Sequence, residues 1–303
     1  MGYKIVVCAK QVPDTREISG DAMKADGTLN RSALPAIFNP EDKNALEMAL
    51  ELRDRYGGKV TVITMGPPRA AEILRESLEM GADDVVLLTD RGFAVADTLA
   101  TSYTIGRAVE RTGGADIILC GRQAIDGDTA QIGPQLAGRL GIGQATYVTE
   151  VLDLADRTAR VKRMIQGGFE VLECRLPLLM TVPDQANEPR PPRAKLIMKY
   201  KRARAPWELV SQVDPDGGLP KDDLARKLGE VEYTLAQKDL LIHEWDGQAI
   251  AADMERTGYD GSPTRVMKIE PAVLKQTEHK RIEPTEQGLA ELIHELAEDH
   301  VLG

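Results

Sequence analysis

The chain has 303 residues, 28% of them charged, with an acidic excess that gives a formal net charge of -10. Such a length supports one large domain or a domain with an arm, and the acidic balance argues against nucleic acid or an anionic membrane as a general partner, because phosphate-rich surfaces recruit basic protein. No apolar run approaches the roughly 20 residues that span a bilayer, and the opening MGYKIVVCAK enters strand-like sequence without a signal-peptide core, so a cytoplasmic protein that is not itself membrane-embedded is expected.

In chain order, Tyr3 to Ala9, Lys59 to Met65, Asp84 to Leu88 and Asp116 to Gly121 are short β-branched runs that each end in turn residues. Helical patterns separate them: Pro40 to Arg55, Ala70 to Met80, Thr98 to Arg111 and Gly133 to Leu140. This alternation predicts an α/β fold, a Rossmann-like doubly wound domain with a mainly parallel sheet covered on both faces. Asn39-Pro40 reads as a helix start, with Glu41 and Asp42 where the helix dipole favours acid. Residues 147 to 182 change to alternating strands, Tyr147 to Leu154, Ala159 to Ile165, Phe169 to Leu176 and Leu178 to Val182, which predicts an antiparallel hairpin extension of the same sheet.

From Pro183 onward proline and charge dominate. The expected division is a nucleotide-binding domain over residues 1–182 and a partner-wrapping arm over 183–303, with helical periodicity at Lys221 to Gly229 and Glu286 to His300. The basic run Lys195 to Arg204 reads as a solvated strand edge guarded by lysine and arginine.

The most informative stretch is Ile117 to Gly141, IILCGRQAIDGDTAQIGPQLAGRLG, an apolar strand that runs through small and acidic residues into an amphipathic helix. In open α/β sheets ligands settle beyond the carboxyl ends of parallel strands, and a helix N-terminus offers unpaired N–H groups to phosphate. A plain strand-turn-helix crossover has the same pattern, so this segment alone leaves both readings open. Catalytic candidates are absent: His243, His279, His294 and His300 all follow residue 240, so the first 240 residues lack histidine-based acid–base or Ser-His-Asp chemistry. Cys8, Cys120 and Cys174 stand singly in apolar runs, as buried hydrophobes do, and propose no metal site.

Four segments together resemble the beta, or small, subunit of the electron transfer flavoproteins, and its bifurcating branch in particular: VVCAKQVPDT (Val6 to Thr15), FNPEDKNALEMAL (Phe38 to Leu50), GRQAIDGDTAQIGPQLAG (Gly121 to Gly138) and VKRMIQGGFEVLECRLPLLMTV (Val161 to Val182) followed by NEPR at Asn187 to Arg190. DRGFAVADTLATSYTIG (Asp90 to Gly106), DGDTAQ and GYDGSPT (Gly258 to Thr264) are similar to the bifurcating members. The resemblance implies a heterodimer with an alpha subunit, passing electrons between a flavin-containing dehydrogenase or other redox partner, or NADH, and an acceptor. It implies FAD as the second flavin, held in this subunit, with the alternative of AMP here and FAD only in the alpha subunit.

Carried over by residue, the cofactor contacts it implies are Ala9, Asn39, the Met65-Gly66 turn, Gly121 and the loop Asp126, Gly127, Asp128, Thr129, Ala130, Gln131 and Ile132, with Asp97, Thr98 and Thr101 at a third strand-to-helix end. Asn39 is expected to read adenine or ribose and the N–H groups from Asp128 to Gln131 to hold phosphate, the acidic side chains turning away. Asp97 reads equally as a helix cap. Two departures stand out: Met164 replaces an acidic residue of the simple carriers, and Ala194, with Leu196 nearby, stands where they carry a leucine anchor. The chain also runs past the family's usual end, from about Lys275, and Glu286 to His300 reads as a helix docking on a subunit surface. A stand-alone adenine-nucleotide enzyme or sensor is the competing class. It would need a P-loop, an SGG-type loop or a paired-His motif, and a lone NAD dehydrogenase would need G-x-G-x-x-G, none of which is present.

Overall fold

A computed structural model describes residues 2–14, 35–215, 217–265 and 281–298. Two compact units divide the chain, the first spanning 1–265 and the second 266–303. In the first, strands β1 (Tyr3–Ala9), β2 (Gln11–Pro13) and β3 (Ala36–Phe38) lead into helix α1 (Pro40–Tyr56), then β4 (Gly58–Met65), α2 (Ala71–Met80), β5 (Asp84–Leu88), α3 (Thr98–Arg111), β6 (Ile117–Gly121) and α4 (Ile132–Leu140). The strands and helices expected over this stretch are all present, with ends shifted by a residue at most.

The chain continues through β7 (Gly143–Ala145), β8 (Val148–Ala155), β9 (Thr158–Ile165), β10 (Gly168–Arg175), β11 (Leu178–Val182), α5 (Ala194–Tyr200), α6 (Pro206–Val213), α7 (Lys221–Ala236) and β12 (His243–Trp245). The main sheet has seven strands in the order β12-β5-β4-β1-β6-β11-β7, and its paired neighbours all run parallel. Its central strands are largely apolar because both faces are covered. Ile5, Val7, Val62 and Leu119 face a cluster with Leu46, Ala49 and Leu74 from α1 and α2. Val6, Ile63, Val86 and Ile118 face the opposite cluster with Ile105, Val109 and Leu136 from α3 and α4.

The hairpin strands depart from expectation. β8, β9 and β10 form an antiparallel sheet of their own, and Leu178–Val182 turns back into the main sheet parallel to β6. The burial pattern explains this. β11 is buried at every position, as a central parallel strand must be, whereas β10 alternates between half-buried and exposed residues like a surface ribbon.

Residues after Pro183 also pack more closely than their composition implies, and the expected boundary between 182 and 183 falls inside the first unit. The proline-rich stretch is extended and lies along α1. Arg190 grips Glu47 at 2.9 Å and Asp54 at 2.9 Å, and the amides of Asn187 and Asn44 each donate to the other's backbone carbonyl. Single apolar residues, Tyr200, Ala203, Leu209, Ile242 and Ile250, then reach the core one at a time, too scattered to register as a pattern. The basic run is not a strand edge: Ala194–Tyr200 is a helix, started by the prolines before it, with Leu196 packed on the core and Met198 turned to solvent. In the second unit, α8 (Glu286–Glu298) exposes Leu289 and Ile293; the expected onset at Lys275 and the last residues, His300 included, lie outside the described residues.

Glu47 is almost fully buried, and removing its partner leaves an uncompensated charge. Arg190→Ala is expected to lower stability by roughly 2 to 3 kcal/mol, less than for a wholly buried pair because Arg190 retains contact with water. Urea unfolding of the two proteins measures it through the midpoint.

Candidate functional site

β1 is followed on one side by β4 and β5, and the chain then crosses to place β6 on β1's other side. The order of strand addition therefore reverses between β1 and β6, the switch point beyond whose carboxyl ends such sheets form a crevice. Four elements meet there: Ala9-Lys10 after β1, the first turn of α1, the loop from Gly121 to Gln131 after β6, and the start of α3.

The first turn of α1 shapes this crevice with three side chains. Asp42 accepts the N–H of Lys10 at 2.9 Å through one oxygen and that of Gly121 at 2.8 Å through the other, so one carboxylate ties the two strand ends together. Glu41 accepts the N–H of Gln123 at 2.8 Å and pairs with Arg122 at 2.7 Å. Asn39, wholly buried, donates to the carbonyl of Gln123 at 2.9 Å and accepts the N–H of Ile125 at 3.1 Å. Its amide is thus committed to the loop's backbone and is not turned outward to read a base. It builds the loop from beneath.

Two contacts require the absence of a side chain. A Cβ on Gly121 would lie 2.6 Å from the Asp42 carboxylate, and one on Gly133 would lie 2.7 Å from the Thr181 methyl and 2.9 Å from the Cys120 sulfur. Glycine there lets α1 and α4 close on the strand ends.

Within the loop, the N–H groups of Gly127 and Asp128 both turn back to the carbonyl of Ala124, so the run of available donors begins one residue later than the expected Asp128. Among the described residues, the N–H groups of Thr129, Ala130 and Gln131 have no acceptor. Asp128 and Ala130 have φ of 47° and 53°, a left-handed conformation that alanine adopts only under strain, and alternation of this kind curls successive amides into an anion-binding concavity. The acidic side chains are held aside: Asp126 bridges Lys10 at 2.7 Å, and Asp128 accepts from the Gln123 amide at 2.8 Å.

α3 joins through Thr98, whose hydroxyl donates to Gln131 at 2.8 Å and accepts from Gln135 at 3.2 Å. Asp97 does not face the loop. One of its oxygens caps α3 at the N–H of Ala100, the other takes the N–H of Thr264, and its own N–H donates to the Ser262 hydroxyl at 2.8 Å. The Gly66 N–H is bonded to the carbonyl of Leu88, which fixes the Met65-Gly66 turn at the end of the neighbouring strand, and no hydrogen bond joins Met65, Gly66 or Thr101 to the loop. The structure thus brings Ala9, Asn39, Gly121, Asp126 to Ile132 and Thr98 together and sets Asp97, Thr101 and the Met65-Gly66 turn around them.

Lys10, Glu41, Asp42, Gln123 and Gln135 are additions to the residues expected from sequence. Asp42 had shown only its helix-start position; that it would reach two strand ends depends on the crossover geometry. Burial pushes its carboxyl up to about 7, with Glu41's charge adding to the rise and the N–H groups of Gly121 and Lys10 opposing it. Burial, with Asp42 nearby, raises the Cys8 thiol to about 12, and Cys120, its partner across the strands, is likewise raised by burial, so both stay protonated.

The fold and crevice define the class: a doubly wound α/β domain with a ligand crevice at its switch point. Comparison with known proteins narrows it. A family profile described as the electron transfer flavoprotein domain matches residues 26–206. An electron transfer flavoprotein subunit beta from Clostridium acetobutylicum is 40% identical over 298 residues, 98% of this chain and 99% of that protein. Protein FixA of Azorhizobium caulinodans is 48% identical over 221 residues, 71% of this chain and 76% of its own. The caffeyl-CoA reductase-Etf complex subunit CarD of Acetobacterium woodii is 50% identical over 188 residues, 62% and 71% of the two chains. The chain belongs to the electron transfer flavoprotein beta-subunit family.

Asp42 carries a pH signature. The folded protein holds its proton up to about 7 while the unfolded chain releases it near the ordinary 3.8, so Asp42's own contribution to stability is greatest below 3.8 and declines as pH rises to about 7. Relative to Asp42→Asn, which cannot ionise, the wild type is expected to lose stability across that window and to run parallel above it. Urea unfolding at stepped pH measures the difference.

Proposed function

We propose that this chain is the small subunit of a heterodimeric electron transfer flavoprotein, that its switch-point crevice holds an adenine nucleotide, and that this nucleotide is FAD, the second flavin beside that of the alpha subunit. The observation that carries the reading is the row of acceptor-less N–H groups at Thr129, Ala130 and Gln131, curled by two left-handed residues and cleared of carboxylates by Lys10 and Gln123. That surface fits a phosphate or pyrophosphate and offers no nucleophile or base. FAD held there by the open amides of Thr129 to Gln131 would supply hydride acceptance from a donor such as NADH and single-electron release.

In this reading Ala9, Gly121 and Asp126 to Ile132 line the nucleotide, Asn39 and Asp42 position the loop, and Thr98 and Thr101, with Asp97 capping their helix, border the flavin end. Names among the relatives support a redox partner: one is a subunit of a caffeyl-CoA reductase-Etf complex and another is an acryloyl-CoA reductase electron transfer subunit. By analogy this chain joins an alpha subunit and passes electrons between NADH or a flavin dehydrogenase and an acceptor, in bifurcation or its reverse. α8, with Leu289 and Ile293 exposed, is proposed to pack on the alpha subunit. The cytoplasm is the compartment proposed. The free state of Cys8, Cys120 and Cys174 fits reducing conditions, and no helix among the described residues is long and apolar enough to cross a membrane.

The test is nucleotide content. Coexpressed with its alpha subunit and purified, the heterodimer is expected to release two FAD per complex on denaturation, read by chromatography and flavin absorbance. One FAD plus one AMP would overturn the bifurcating reading and leave the simple carrier. Asn39→Ala leaves the Gln123 carbonyl and the Ile125 N–H unpaired beneath the loop, about 2 kcal/mol of lost support. It is expected to weaken the crevice nucleotide at least tenfold while the alpha subunit keeps its flavin, as equilibrium dialysis against FAD would record.

A further inference from the structure

A second concave site lies beside α3. Thr98 faces Gln131 across the crevice, whereas Leu99, Ala100 and Tyr103 form a different stripe of α3 and line a cavity of about 470 Å³, closed by Arg139 of α4 and by the turns between Glu255 and Arg265. Such a volume accommodates a small ligand.

Several arginines of this chain hold carboxylates: Arg75 pairs with Glu208, Arg122 with Glu41, Arg163 with Glu170 and Arg190 with Glu47. Here Arg139 and Arg256 both stack on one ring, Tyr103, at 4.6 and 4.4 Å from its centroid, and neither side chain makes a hydrogen bond or ion pair with any described residue. The Nε of Arg139 is buried without a partner. Burial depresses this guanidinium below its ordinary range, and the neighbouring Arg256 depresses it further. Arg265 stacks on Tyr259 at the rim.

The acidic groups present do not neutralise the pair. Asp97 has both oxygens on backbone N–H groups, and Glu255 and Asp260 line the cavity without pairing to an arginine. Tyr103 is fixed as a platform, its hydroxyl accepting the N–H of Asp253 at 2.8 Å. Leu99 and Ala100, in the first turn of α3 that the Asp97 carboxylate caps, form part of the cavity wall. Two guanidinium forks on a rigid ring, neither paired with the Glu255 or Asp260 carboxylates that share the lining, match an oxyanion supplied from outside.

We infer that the cavity between α3, α4 and the 255–263 turns is a second ligand site, which takes a phosphate- or pyrophosphate-bearing small molecule between Arg139 and Arg256. The lining shares no residue with the loop from Gly121 to Gln131, and the inference holds whichever nucleotide that loop would take.

The probe is inorganic pyrophosphate, titrated by calorimetry into the full-length chain purified with its alpha subunit and bound nucleotides, with succinate as the carboxylate comparator. Saturable pyrophosphate binding, weakened at least tenfold by both Arg139→Gln and Arg256→Gln and only partly by Arg256→Lys, is expected, with bound nucleotide content unchanged in each variant. Arg256 is exposed and outside the core, so its variants test the site even if Arg139→Gln disturbs the packing of Tyr103. Absence of saturable binding, or wild-type affinity in both glutamine variants, would overturn the site. Equal affinity for succinate would overturn the phosphate class. Because nucleotide content is read separately, failure here is distinct from failure of the flavin reading.

Discussion

The carboxylate of Asp42 is the interaction on which the site depends. It stands in the first turn of α1 and holds the N–H groups of Lys10 and Gly121, the residues at which β1 and β6 give way to loops. A doubly wound sheet splits at its switch point because consecutive crossovers leave in opposite directions, and the strand ends there lose the neighbour that would continue their ladder. One buried acid supplies the missing acceptor to both. Everything else at the crevice is hung from this tie: Glu41 and Asn39 carry the loop on the same turn, and the loop carries the open amides at Thr129 to Gln131.

The side chains expected to touch a nucleotide thus divide into two kinds. Asn39 and Asp97 are wholly engaged with backbone, one under the loop and one between a helix start and the turn at Thr264. The groups left open are main-chain donors, which no side-chain substitution removes directly. Open main-chain donors of this kind suit an anion by shape, and Asn39 and Asp42 set that shape from beneath. Family membership fits this economy of side chains, since a carrier of electrons needs its cofactor held and oriented more than it needs acid–base chemistry.

How much of this was legible in the sequence varied with the range of the contacts involved. β1, β4, β5 and β6 are short runs rich in β-branched and apolar residues, α1 starts at Asn39-Pro40 and α3 at Asp97, and α1, α2 and α4 end at glycine, so local signals sufficed. β11 misled because its antiparallel neighbours in sequence suggested a hairpin partner, while its fully buried pattern belonged to the parallel sheet. The segment after Pro183 misled in the opposite way: Tyr200, Ile242 and Ile250 are buried singly, and isolated anchors have no period to detect. In the site, the loop's composition announced it, but Asp42 resembled any acid at a helix start until the crossover placed two strand ends above it.

The position of β12 carries a consequence for biosynthesis. His243–Trp245 pairs with β5, a strand made more than a hundred and fifty residues earlier in the chain, and completes that edge of the sheet. Until it emerges from the ribosome, the outer edge of β5 has unsatisfied N–H and C=O groups flanked by apolar side chains, the kind of template on which nascent chains pair wrongly. The contact is also among the most distant in sequence that the sheet contains, so its closure entropy is met last. A nascent chain of this protein therefore acquires the loop from Gly121 to Gln131 well before β12 covers the outer edge of β5.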